Sequence, residues 1–309
     1  ACTSCPAETW QRIASLNPNA DTTPPSLEAR LACPLSGQPL ARGTGPDGAA
    51  ALVTMDGQHV YPLTNGAANL IPDPLPPELE ERAVIWRRLQ TNGALSYKMA
   101  PFLNLFATGG DEAQDFGGFV DLKGLVLEVG CGPQRQQPAY IQSSEPLVYW
   151  GLDPLAGEQP RDFPFVQGLA ELLPFEPGLF DSLVYCSCLD HMLDFQRALK
   201  EAGRVLKPGG TVNLALDLFE HDDSRVAWWD LLRRGAGQTL RAAVRKGPWW
   251  AFKYALAMAR LQTPPGAADP FHWQFPTLPA VTSALEKAGF AGLVEQRRGE
   301  MIFLRAAKQ

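Results

Sequence analysis

The chain has 309 residues, 45% hydrophobic and 19% charged, with a formal net charge of −6. That balance fits a soluble globular protein long enough for one full α/β core plus further modules, and its acidity argues against a nucleic-acid partner. No apolar run is long enough to span a bilayer, and the N-terminus lacks a charged-then-apolar leader pattern.

Residues 1–26 are predicted to be an extension, with Cys2 and Cys5, a short helix over 6–16 and a Pro/Asn-rich linker. Residues 27–75 hold short, turn-rich segments that predict a small β-rich module. Residues 76–121 read as a helical connector, with Leu79, Ala83, Trp86 and Leu89 at helical spacing. From Leu122 to the end, strands and helices alternate. Strands are predicted at 124–129, 148–152, 180–186 and 211–216. Between the last two lies a helix over 195–206, with Leu199, Ala202, Val205 and Leu206 on one face. Lys207-Pro208-Gly209-Gly210 ends it, the lysine serving the last helix carbonyls. A helical lid insertion is expected over about 224–270, then a helix over 278–288 and a terminal hairpin from 292–295 and 301–305. Strand–helix alternation predicts a doubly wound sheet with its ligand at the strands' carboxyl ends.

The most informative stretch is an apolar run, Leu125-Val126-Leu127, that ends in Glu128-Val129-Gly130-Cys131-Gly132. A second apolar run ends in Gly151-Leu152-Asp153, about 20 residues further on. A strand–loop–helix–strand unit binds a nucleoside in this way: glycines let the backbone approach the ligand, and a carboxylate on the next strand end accepts ribose hydroxyls.

These residues resemble the class I S-adenosylmethionine-dependent methyltransferases of the broad methyltransferase 11 group. The resemblance covers about 122–211 in motifs and extends weakly to 308. It includes Gly168-Leu169-Ala170-Glu171-Leu172-Leu173-Pro174-Phe175, Phe180-Asp181-Ser182 and Arg204-Val205-Leu206-Lys207-Pro208-Gly209-Gly210. It implies a seven-stranded, mostly parallel, Rossmann-like sheet with an antiparallel last strand, and S-adenosyl-L-methionine as cofactor. By the same resemblance, Gly130, Cys131 and Gly132 pass under the methionine part and Glu128 orients the loop or the amino group. Asp153, followed by Pro154, takes the ribose hydroxyls. Leu169, Ala170 and Glu171 frame the adenine, and Cys186 and Ser187 face the sulfonium and the acceptor. Two departures stand out: Gln134-Arg135 occupies the region where many relatives have a third glycine, and Leu169 replaces a usual acid.

Of four histidines, His191 follows the predicted fourth strand and is the candidate general base, with Asp190 or Asp194 to orient it. His221, in Glu220-His221-Asp222-Asp223, and His272, ahead of the late helix, are further catalytic candidates. No metal is assigned, because none of these spacings is a specific ligand signature. The lid carries Trp228, Trp229, Trp249 and Trp250 among several arginines and lysines, which suits an anionic or amphipathic acceptor or weak membrane-surface contact. In the N-terminal module, Cys33-Pro34-Leu35-Ser36 resembles a zinc ribbon fused to some methyltransferases. Ser36 stands where its second cysteine belongs, so a metal-free module is expected.

The reading is a methyltransferase acting on a hydroxyl of a small-molecule or saccharide acceptor. An rRNA base methyltransferase and a non-catalytic cofactor-binding scaffold are the alternatives. The six cysteines do not form a secreted framework, and a reduced, cytoplasmic setting is expected.

Overall fold

The computed structural model describes residues 27–64, 67–99, 110–158, 160–217, 247–261, 263–299 and 301–309, with Leu240 and Val244. The expectations for residues 1–26, for His221 and for most of the lid lie outside these residues.

Among the described residues, eleven strands form one mixed sheet: β1 (Leu40–Thr44), β2 (Ala50–Thr54), β3 (Val60–Thr64), β4 (Ala67–Asn69), β5 (Gly124–Val129), β6 (Leu147–Asp153), β7 (Phe165–Gln167), β8 (Phe180–Cys186), β9 (Leu206–Asp217), β10 (Phe290–Arg298) and β11 (Met301–Lys308). Their order is β1-β2-β3-β4-β7-β6-β5-β8-β9-β11-β10. Strands β7, β6, β5, β8 and β9 run parallel, and β11 lies antiparallel between β9 and β10. The chain leaves β5 on one side through β6 and β7, then returns to the other side as β8. That reversal creates a crevice at the carboxyl ends of β5 and β8.

Two expectations are corrected. The seven strands from residues 124–308 do not end the sheet, because β4 pairs in parallel with β7, Ala68 opposite Val166, and the four strands of residues 27–75 extend it to eleven. The loop after β5 is also not followed by a helix: residues 130–146 are turns and irregular chain. Pro133, Pro138 and Pro146 interrupt any helical ladder there.

Among the described residues, helices α1 (Pro77–Met99), α2 (Asp111–Phe119), α3 (Phe195–Val205), α4 (Pro248–Met258) and α5 (Leu278–Lys287) flank the sheet. Alternate residues of β5 serve opposite faces, as a strand's period of two dictates. Leu125, Leu127 and Val129 join one core with Leu199, Ala202, Val281 and Leu285 of α3 and α5. Val126 joins the other with Phe116, Tyr140, Ile141 and Phe303, so α2 and the irregular loop cover the face that lacks a crossover helix. Asp194 caps α3 by accepting from the Gln196 and Arg197 N–H groups at 3.0 Å. Lys207 does not serve the α3 carbonyls: its Nζ lies 2.8 Å from Asp181 Oδ1, because the chain passes from α3 straight into β9.

Gly203 lets α3 approach α5 closely; a Cβ there would stand 2.6 Å from the Ala288 carbonyl oxygen. Gly203→Ala should therefore lower unfolding stability by about 1–3 kcal/mol, despite alanine's better helix propensity. Chemical denaturation measures this, and a stabilised variant would refute the contact.

Candidate functional site

A cavity of about 280 Å³ opens at the crevice between the ends of β5 and β8. Every cofactor residue picked from the sequence lines it: Glu128, Gly130, Cys131, Gly132, Asp153, Pro154, Leu169, Ala170, Glu171, Cys186 and Ser187. Two glycines have φ of +78° and +72°, Gly130 and Gly132 respectively. A Cβ on Gly130 would lie 2.7 Å from Cys188 Cβ, so both backbone conformation and packing require glycine.

Asp153, at the end of β6, accepts from the N–H groups of Gly132 and Leu155, both at 2.7 Å. One carboxylate thereby ties the glycine loop to the loop after β6. Burial pushes its pKa up to about 6, against the lowering effect of those two bonds. Glu128 is fully buried and receives the hydroxyls of Tyr140 and Tyr149, the latter at 2.5 Å. Burial raises it to about 7 even so. Glu171 is also raised by burial, and its Oε1 accepts the Asp194 N–H at 3.0 Å, so it braces the start of α3 besides lining the cavity.

The departures noted in the sequence have structural counterparts. Gln134 folds back to donate to the Cys131 carbonyl, whereas Arg135 pairs with Asp162 at the surface. Arg161 takes over the organising role of a helix. Its guanidinium donates to the carbonyls of Gly132 (2.7 Å), Gln134 (2.9 Å) and Leu155 (2.8 Å), and lies 3.6 Å from the centre of the Phe165 ring.

Ser187, directly after β8, has φ +46°, and its Oγ is buried without a hydrogen-bond partner, as is Gln134 Oε1. Both residues line the cavity. Unpartnered buried oxygens cost about 1–3 kcal/mol each, which a polar ligand in the cavity would offset.

The opposite wall comes from α1 and α4: Trp86, Leu89, Gln90, Gly93, Ser96 and Tyr97, with Tyr254. Trp86 Nε1 donates to the His191 carbonyl at 3.2 Å, and Asn92 to the Pro270 carbonyl at 2.7 Å, so α1 is fastened to both histidine-bearing loops. His191 lines the cavity on a 3₁₀ turn, Leu189–His191. Its Nδ1–H donates to the Phe271 carbonyl at 3.0 Å, which leaves Nε2 with the lone pair. Burial lowers its pKa, with Asp190 opposing and His272 assisting. His272 stands behind it, ring centroids 4.6 Å apart, and its Nδ1–H donates to Asp269 at 2.6 Å. Burial favours its neutral form, but Asp190 and Asp269 outweigh burial and hold the pKa above the usual value.

The sequence reading missed Tyr140, Tyr149, Arg161 and the α1 wall. Only the helical spacing of Leu79, Ala83, Trp86 and Leu89 hinted at the last, and it speaks of burial rather than of a ligand. Among the described residues, one His/Cys/Asp/Glu group has ligand atoms near one another, Asp190, His191 and His272; it does not involve Cys33. Instead, the Cys33 thiol is buried 3.2 Å from the Tyr61 hydroxyl. No described helix is long and apolar enough to cross a membrane.

A family profile described as "Methyltransferase domain" matches residues 127–214, from β5 into β9. The phthiotriol/phenolphthiotriol dimycocerosates methyltransferase of Mycobacterium tuberculosis is 33% identical over 143 residues, covering 41% of this chain and 52% of that protein. The demethylmenaquinone methyltransferase of Lactococcus lactis is 45% identical over 72 residues, 23% of this chain and 29% of that one. The chain thus spans about half the length, or less, of these curated relatives. Among solved structures, the 1,6-didemethyltoxoflavin-N1-methyltransferase of Burkholderia thailandensis, with bound 1,6-didemethyltoxoflavin and S-adenosylhomocysteine, matches 82% of this chain and 97% of its own. It does so at 15% identity and a TM-score of 0.42. Residues 127–214 of this chain thus carry the match to a methyltransferase domain, the enzymatic module that uses S-adenosylmethionine as cofactor.

Proposed function

We propose that the whole chain transfers a methyl group from S-adenosylmethionine to a hydroxyl of a small, largely apolar molecule. The observation that carries this reading is one cavity lined both by the Gly130–Gly132 turn with Asp153 and by His191. Asp153 is the acceptor for the ribose hydroxyls, and Leu169 and Ala170 offer the adenine an apolar slot. Ser187 Oγ and Gln134 Oε1 are the unpartnered atoms available to the amino-acid end.

S-adenosylmethionine supplies a methyl group already activated by a positive sulfur. The remaining work is positioning an acceptor and accepting its proton. Trp86, Leu89, Met192 and Tyr254 form an apolar wall that excludes water and suits a ring or chain better than a saccharide. The names of the curated relatives, with acceptors such as phthiotriol dimycocerosates and demethylmenaquinone, agree with that preference. His191 Nε2 receives the hydroxyl proton as the new C–O bond forms, while the Phe271 carbonyl holds the ring's tautomer.

The test is calorimetric titration with S-adenosylhomocysteine across pH, with NAD as control. Ribose hydroxyls favour ionised Asp153, whose carboxyl is protonated below about pH 6 in the free chain. Affinity should rise with pH up to about tenfold per unit below 6 and level off above 7, with proton release on binding. The same shift acts oppositely on the unliganded fold. Folded Asp153 holds a proton that the unfolded chain, near 3.8, has released, so stability falls as pH rises towards and through 6. NAD binding without S-adenosylhomocysteine binding would overturn the proposal.

A further inference from the structure

We propose that Asp190, His191 and His272 form a binding site for one first-row divalent transition-metal ion, beside the cavity that His191 lines. The two histidines lie far apart in sequence and meet because the loop around 269–274 docks on the turn after β8. The N–H groups of Trp273 and Gln274 donate to the Asp190 carbonyl at 2.9 and 3.3 Å. The site is therefore held by backbone on both sides before any ion arrives.

Its chemistry is that of two imidazoles and a carboxylate, a set that suits zinc, iron, cobalt or manganese and leaves coordination positions open. His191 Nε2 lies 3.8 Å from Asp190 Oδ1, and His272 Nε2 lies 3.6 Å from Asp190 Oδ2. One ligand atom from each residue falls within 4.8 Å of the others. These separations are too long for hydrogen bonds. They are a few tenths of an ångström wider than two ligands sharing an ion at bond lengths of about 2.0–2.2 Å.

Two independent features point inwards to a ligand. Asp190 is 8% exposed, and its Oδ1 is buried with no hydrogen-bond partner, an expensive state for a carboxylate oxygen. Both rings, moreover, have their Nδ1–H groups committed outwards, His191 to the Phe271 carbonyl and His272 to the Asp269 carboxylate. Metal-ligating histidines are oriented in this way, with the outer nitrogen held by a carboxylate or carbonyl and the inner lone pair free. Asp269 is itself fixed, since its Oδ1 accepts the Phe271 and His272 N–H groups at 2.7 and 2.8 Å.

Binding of the ion does not depend on the methyl-transfer reading. One consequence does rest on it: an ion on His191 Nε2 takes the lone pair that would receive the acceptor's proton, so the two uses exclude one another.

The experiment is titration of the purified chain, stripped with chelator, with Co²⁺ followed by visible absorption, and with Zn²⁺ in competition. The expected result is one equivalent of Co²⁺ with ligand-field bands that Zn²⁺ abolishes. Asp190→Asn and His272→Ala should lose those bands. Asp269→Asn, which keeps all three ligands, should bind about 10–100-fold more weakly. The fold of each variant is checked against the wild type by circular dichroism and its unfolding midpoint, which separates a lost metal site from a lost fold without relying on cofactor binding. Wild-type chain without bands, or bands that persist in Asp190→Asn and His272→Ala, would overturn the proposal.

Discussion

Asp153→Ala is expected to weaken S-adenosylhomocysteine binding by about 3 kcal/mol or more, at least about 100-fold in Kd. The variant removes two things at once. It takes away the proposed acceptor of the ribose hydroxyls, and it leaves the Gly132 and Leu155 N–H groups, each now bonded at 2.7 Å, without their partner. The glycine turn is thereby released from the loop after β6. Calorimetry on the folded variant measures the loss. An affinity within about threefold of wild type would remove Asp153 from the cofactor site.

His191→Ala is expected to behave in the complementary way. Loss of a positioned base lowers kcat by about 100- to 10,000-fold. Cofactor affinity should stay within about threefold, because the glycine turn and Asp153 remain. The assay is transfer of labelled methyl from S-adenosylmethionine to whichever hydroxylated acceptor a screen identifies. A fall in kcat with little change in KM separates proton acceptance from mere packing, and undiminished kcat would exclude His191 from the reaction.

How far the sequence reveals this molecule depends on how local each requirement is. Strands β5 and β8 were legible to the residue, since continuous apolar runs flanked by turn signals describe strands buried on both faces. The glycine turn and the Asp153 carboxylate that line the cavity were legible for the same reason: a backbone turn demands glycine where it occurs, and the carboxylate sits at the end of the neighbouring strand. Strand β7, with three residues, carries no period to detect. Arg161 was invisible because its partners are backbone carbonyls, which leave no mark on residue type. The meeting of His191 and His272 was equally hidden. It depends on a loop without regular structure docking across the top of the sheet, and nothing periodic in residues 263–276 announces it. The extent of the sheet was misjudged because pairing of β4 with β7 is set by tertiary docking, not by either short segment alone.

That pairing has a consequence for solubility. Strand β7 is short and would otherwise end the parallel array with open N–H and C=O groups at Val166 and Gln167, a template for strand addition by another chain. Strand β4 occupies that template, and the meander hands the open margin outwards to β1, a largely exposed five-residue strand that carries Arg42. Arg42 is held by Glu28 at 2.6 Å, so a fixed charge guards the outermost strand and discourages self-association along it.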